Sequence, residues 1–134
     1  MRLSLCLPLA AVLATGCGGP KLAPVSGKIT LDNKPLPKAR ITFQPTDGLN
    51  PGVGSYGVAD DSGEYTLQPV DGKGSGALVG KHRVEISLLK EGSNPEDDRQ
   101  RTVNLVPPKY NLNSTLTFEV KPGSNTADWP LTTK

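Results

Sequence analysis

Lys81-His82-Arg83-Val84-Glu85-Ile86-Ser87-Leu88-Leu89 is the stretch that decides the fold. His82, Val84, Ile86 and Leu88 fall at every second position on one face, and Arg83, Glu85 and Ser87 fall on the other, which is the period of a strand with one side buried. The same period recurs on both sides of it. Val25, Gly27, Ile29 and Leu31 alternate with Ser26, Lys28, Thr30 and Asp32, and Asn33-Lys34-Pro35 then reads as a turn. Ala39, Ile41 and Phe43 alternate with Arg40, Thr42 and Gln44 until Pro45, and Leu116, Phe118 and Val120 alternate with Thr115, Thr117 and Glu119. Shorter strands are expected near Tyr56 and Val58, at Tyr65 and Leu67, at Val103 and Leu105, and around Trp129 and Leu131. Asp60-Asp61-Ser62-Gly63 reads as a hairpin turn, because Asp and Ser bond nearby backbone and Gly accepts positive φ. With 15 Gly and 13 Pro in 134 residues, helices of ordinary length have little room. The expectation is an all-β domain, a seven- to eight-stranded antiparallel β-sandwich.

Length allows one such domain and not two. What precedes it reads as a leader: Arg2 supplies the positive charge, and Leu3 to Leu13 form an apolar stretch too short to span a bilayer as a stable helix. The stretch ends in Leu13-Ala14-Thr15-Gly16-Cys17, which resembles the lipobox of bacterial lipoproteins. That resemblance implies diacylglycerol in thioether linkage to Cys17 and cleavage of the Gly16-Cys17 bond. Small residues suit a peptidase that must close around the backbone beside a modified sulfur, and a thiol is the nucleophile that takes the lipid. The chain therefore divides into a signal peptide at 1–16, a lipidated cysteine and tether at 17–24, and the sandwich at 25–134. Gly18-Gly19-Pro20-Lys21-Leu22-Ala23-Pro24 has a tether's composition, flexible first and then stiffened by proline. The expected location is the cell envelope, on the periplasmic or outer face of a membrane. Without Arg2 the chain keeps 14 basic and 13 acidic residues with no basic cluster, so nucleic acid is not expected as a partner. Cys6 lies in the leader, which leaves Cys17 without an intramolecular disulfide partner.

The body resembles the carboxypeptidase regulatory-like domain, a transthyretin-like (prealbumin-like, Ig-like) sandwich, particularly its lipoprotein versions in planctomycete-type bacteria. The residues that carry the resemblance are Val25-Ser26-Gly27-Lys28-Ile29, the run from Lys34-Pro35-Leu36-Pro37 to Phe43-Gln44-Pro45, and Asp60-Asp61-Ser62-Gly63-Glu64-Tyr65-Thr66-Leu67. Gly80-Lys81-His82-Arg83-Val84-Glu85-Ile86 and Val106-Pro107-Pro108-Lys109-Tyr110 extend it over nearly the whole body. The family usually has Gly in its first turn where this chain has Asn33-Lys34, and Asn tolerates positive φ nearly as well.

Few residues point to chemistry. His82 is the only histidine, and its phase with Val84 and Ile86 turns it inward as a half-buried structural side chain. Hydrolases and dioxygenases of related folds need several His, Arg or Tyr ligands, so no catalytic residue, metal or cofactor is expected. Asp60 to Glu64 lacks the length and spacing of a Ca²⁺ loop, and the mixed charges from Glu96 to Arg101 read as a solvated loop. Lys28 falls on the polar phase of its strand, which argues against a buried isopeptide crosslink. Sugars stack on aromatic rings, so Trp129, Tyr56 and Tyr110 come into question; Tyr56 and Trp129 can equally be core, which leaves Tyr110 beside Pro107 and Pro108, and Tyr110 and Trp129 are the candidate ligand contacts. The expected function is a non-catalytic, membrane-anchored interaction or structural module. It would be held to the membrane through the lipid on Cys17, with another envelope protein as its partner. The alternative is a glycan or small-ligand binder that uses loops 46–54 and 71–76.

Overall fold

The computed structural model describes residues 21–47, 52–90 and 103–134. In chain order its strands are β1 (Leu22–Ala23), β2 (Val25–Leu31), β3 (Lys34–Pro35), β4 (Arg40–Pro45), β5 (Ser55–Val58), β6 (Glu64–Thr66) and β7 (Gln68–Pro69). They continue as β8 (Ala77–Leu78), β9 (Gly80–Ser87), β10 (Leu89–Lys90), β11 (Val103–Asn104), β12 (Thr117–Val120), β13 (Asn125–Thr126) and β14 (Trp129–Leu131), with one 3₁₀ turn at Pro108–Tyr110. Seven of these strands have three residues or more, and together they form the all-β sandwich that the alternation predicts.

One sheet has the order β12-β9-β4-β5-β7 and is antiparallel throughout. The other is built on β2, with β6 and β3 antiparallel along one edge and β13 and β14 along the other. Val25 and Ile29 of β2 meet Ile41 and Phe43 of β4 and Val84 and Ile86 of β9 in a fully buried core. Strand β9 lies at the centre of this packing: His82, Val84 and Ile86 are buried, and Arg83, Glu85 and Ser87 lie on the opposite, partly exposed face.

One segment changes sheet within two residues. Glu64–Thr66 pairs with β2, and two residues later Gln68–Pro69 pairs with β5 of the other sheet. Leu67 is the point of change; its N–H donates to the Val25 carbonyl at 2.9 Å, and its carbonyl accepts from Gly76 N–H at 2.9 Å. The turn before it is built as its residues suggest. Asp60 Oδ1 accepts from the N–H groups of Ser62 and Glu64, each at 2.9 Å, and Gly63 takes φ +77°.

Four sequence expectations shift. The first turn occupies Asp32 and Asn33, with φ of 49° and 67°, so that Lys34 and Pro35 pair back onto Leu31 and Thr30. A type I′ hairpin turn takes positive φ at both central positions, which Asp and Asn accept and Pro, with φ held at about −65°, cannot. Secondly, β13 and β14 run parallel to β2 rather than antiparallel; the chain reaches them from β12 across the sandwich, so no hairpin dictates their direction. Thirdly, Ser55 and Gly57 face inward while Val58 is exposed, and Val106 is buried while Val103 and Leu105 are exposed. In strands this short, one or two apolar residues do not set the phase. Lastly, Leu22 and Ala23, assigned by composition to the tether, pair with Leu78 and Ala77, and Ala23 is buried.

Candidate functional site

The chemistry-bearing residues are distributed by these two sheets. Gly16 and Cys17 lie outside the described residues, as do Glu96 to Arg101 and positions 48–51 of the first candidate loop. His82 is deeper than expected. Its side chain is 1% exposed, its ring lies 5.5 Å from that of Phe43, and its Nε2 is 2.7 Å from the Leu78 carbonyl, while Nδ1 has no partner among the described residues. The carbonyl makes Nε2 the protonated nitrogen. Among the described residues no three His, Cys, Asp or Glu side chains are grouped to hold a metal ion.

Trp129 belongs to an aromatic cluster with Phe43 and Phe118, each ring centroid 6.3 Å from the indole and edge-on to it. Its Nε1 donates to Tyr65 Oη at 3.0 Å, and that hydroxyl donates in turn to the Ala127 carbonyl. Tyr110 stands elsewhere, at the end of the 3₁₀ turn. Its hydroxyl accepts from Thr132 N–H at 3.0 Å, and Lys109 Nζ lies 5.0 Å from its ring. The Thr132 hydroxyl, 3.4 Å from the phenol oxygen, and after it the Thr132 N–H stabilise the phenolate and lower the Tyr110 pKa. The neighbouring tail is held by Asp32, whose carboxylate accepts from Thr133 N–H at 3.0 Å and Thr133 Oγ1 at 2.7 Å, which lowers its pKa. Both candidate aromatics thus have partners within the fold, Trp129 in the core cluster and Tyr110 on the C-terminal strap.

Burial raises the Tyr65 hydroxyl well above the ordinary tyrosine value, against the opposing effect of the Trp129 bond. A raised value means that the folded state holds its proton longer than the unfolded chain does. The contribution is therefore complete below the unfolded value of about 10 and is lost as pH rises towards the folded one. Tyr65→Phe leaves the Trp129 N–H and the Ala127 carbonyl without their partner, with an expected cost of about 1–3 kcal/mol. Urea titrations followed by fluorescence of the single tryptophan measure that loss, and between pH 9 and 11 the wild type should lose stability more steeply than the variant.

Among the described residues, a shallow groove of about 990 Å³ lies on the side of the sandwich where the joining segment passes from one sheet to the other. One wall is the outer face of β5 and β7, with Tyr56, Val58 and Gln68, and the other is the outer face of β2 and β6, with Ser26, Lys28, Glu64 and Thr66. Thr126 and Asp128 close it. Gln68 Nε2 donates to Tyr56 Oη at 2.7 Å, and the Arg40 guanidinium lies 4.4 Å from the centre of the Tyr56 ring. Asp128 Oδ1 accepts from Lys28 N–H at 2.9 Å. The groove is an open, polar surface with one oriented aromatic ring, suited to holding a hydrogen-bonding ligand.

Among the described residues, none of its lining comes from loops 46–54 or 71–76. Sequence reading does not find it, because it depends on the sheet change at Leu67, which sets Gln68 opposite Tyr56. The local signals are Tyr56 itself, one of the aromatic rings that came into question, and the glycine after it, whose added Cβ would lie 2.7 Å from the Thr66 carbonyl, a mark of close strand approach.

No family model matches this chain, and no curated protein matches it. Among solved structures it is similar to a DUF3823 family protein from Parabacteroides merdae ATCC 43184, with a TM-score of 0.43 and 13% identity over 84% of this chain and 46% of that one. It is also similar to a 9R-lipoxygenase from Cyanothece PCC8801, with a TM-score of 0.44 and 14% identity over 83% of this chain and 16% of that one. The chain spans less than half the length of either protein.

Proposed function

We propose that this chain is an exported lipoprotein, held on a membrane of the cell envelope by lipid on Cys17, whose sandwich acts as a non-catalytic interaction module of the carboxypeptidase regulatory-like, transthyretin-like kind. The observation that carries the reading is Leu13-Ala14-Thr15-Gly16-Cys17 directly behind Arg2 and an apolar stretch. Two or three acyl chains, at about 0.8 kcal/mol per buried methylene, anchor far more firmly than a single myristoyl group. The test is in-cell crosslinking of tagged wild type beside Cys17→Ser, with mass spectrometry of the N-terminal peptide and of the captured proteins. The expected result is a lipidated Cys17 at a new N-terminus and one recurrent envelope partner that the variant loses. An unmodified Cys17 overturns the anchor, and a lipidated chain with no reproducible partner overturns the interaction module.

A glycan or small polar ligand is the second reading, and the groove is what favours it. Tyr56 presents a ring whose position is set by Arg40 and Gln68, and ring stacking with flanking hydrogen-bonding groups is how sugars are held. A glycan array with wild type and Tyr56→Ala tests it: hits lost in the variant support the groove, and hits retained in the variant place any binding elsewhere.

A further inference from the structure

We infer that the end of the sandwich around β1 and β8 is a lipid-facing surface that lays the domain against anionic headgroups; this rests on the reading of Cys17 as the lipid anchor. The length of chain supports it first. Only three residues, Gly18 to Pro20, lie between Cys17 and Lys21, where the described structure begins, and the four Cα-to-Cα steps across them reach at most about 14 Å. Whatever surrounds Lys21 is therefore held close to the bilayer surface, within about two screening lengths of about 8 Å each at physiological salt.

What surrounds Lys21 is apolar and basic. Val79 donates its N–H to the Lys21 carbonyl at 2.9 Å, and Val70 donates to the carbonyl of Gly54, next to Val53, at 3.0 Å. Gly52 lies against the Leu78 side chain, so the three valines share one end of the molecule. Their exposures of 39% for Val53, 56% for Val70 and 37% for Val79 mark an apolar rim rather than core.

Basic residues stand among them. Lys73 precedes Gly74, which packs on Leu22, and Lys81 follows the Gly80 that pairs with Val120 beside Lys121. Lys21, Lys73, Lys81 and Lys121 are all exposed, and among the described residues none makes an ion pair with a carboxylate. Three carboxylates among the described residues share this end: Asp47 and Asp71 each accept a backbone N–H at 2.9 Å, from Lys81 and Lys73, and the exposed Glu119 stands across the ladder from Lys81. The four lysines still outnumber them. Lysines with apolar stems among exposed valines match a headgroup surface, with the ammonium groups at phosphate level and the methyl groups beneath them.

This placement also reassigns the two candidate loops. The described parts of 46–54 and 71–76 sit at the anchored end, so they face lipid, and the groove on the side of the sandwich and the opposite end around Asp32–Lys34 remain open to partners.

The test uses the processed, lipidated full chain in vesicles of phosphatidylcholine with or without phosphatidylglycerol. Mass spectrometry of the N-terminal peptide reports the lipid. A fluorophore is placed at Val79→Cys or, as the far-end reference, at Lys34→Cys, and quenching by brominated acyl chains is read. The expected result is severalfold stronger quenching at position 79 than at 34, greater with phosphatidylglycerol, and reduced by salt or by the pair Lys73→Glu and Lys121→Glu. Equal quenching at the two positions on a chain with lipidated Cys17 overturns the inference and leaves the anchor standing. An unmodified Cys17 overturns the anchor, and the inference falls with it.

Discussion

Phe43→Ala is expected to lower the unfolding free energy by about 3–5 kcal/mol, the usual cost of emptying an aromatic site in a packed core. Phe43 is fully buried on β4, the central strand of the five-stranded sheet, and its ring lies 5.5 Å from His82, 5.7 Å from Phe118 and 6.3 Å from Trp129. No neighbour can swing in to fill the space without losing its own contacts: His82 is tied to the Leu78 carbonyl and Trp129 to Tyr65. A domain of this size has a total of about 5–15 kcal/mol, so the variant should be close to the edge of folding. The urea midpoint should drop steeply with an unchanged slope. Phe43→Leu, which keeps most of the volume, should lose well under half as much. A loss below about 1 kcal/mol for Phe43→Ala would show that the aromatic cluster does not form the centre of the core.

Gly27→Ala should cost about 3 kcal/mol, for a reason unrelated to glycine's conformational freedom. A Cβ added at this position would lie 1.8 Å from the Ala127 carbonyl oxygen, a backbone atom that cannot rotate away. The close approach arises where β13 gives way to β14 alongside β2. The Ala127 carbonyl turns over Gly27 to accept from the Tyr65 hydroxyl, and the Asp128 carboxylate takes the Lys28 N–H that a regular ladder would give to a carbonyl. One methyl group therefore forces the last strand away from β2. The signature is regional: amide exchange should accelerate at Asn125, Ala127 and Asp32, whose N–H groups bond to Pro24, Ser26 and Leu131 across this seam. Exchange within β4 and β9 should follow global stability alone. Uniform acceleration, or none, would count against the packing described for the seam.

Gly27 also shows how far sequence reading extends. Alternation assigns it correctly to a strand from Val25 to Leu31, yet nothing near it in the chain states that residue 127 must pass over it. Ser55, Val58 and Val106 teach the same lesson in reverse, since in strands of two to four residues the partner, not the local pattern, chooses the buried face. The groove was illegible for a related reason: Tyr56, Gln68, Lys28 and Asp128 come from four separate segments.

The chain's own pattern placed β2, β4, β9 and β12, turned His82 inward and set the turn from Asp60 to Gly63. Each of these follows from burial or backbone preference within a few residues. Tertiary structure alone decided the parallel seam of β13 and β14 on β2, the sheet change at Leu67 and the use of Leu22–Ala23 as a strand. Side-chain period records which face meets the core, whereas strand partners and their direction are set by hydrogen bonds between residues up to a hundred positions apart.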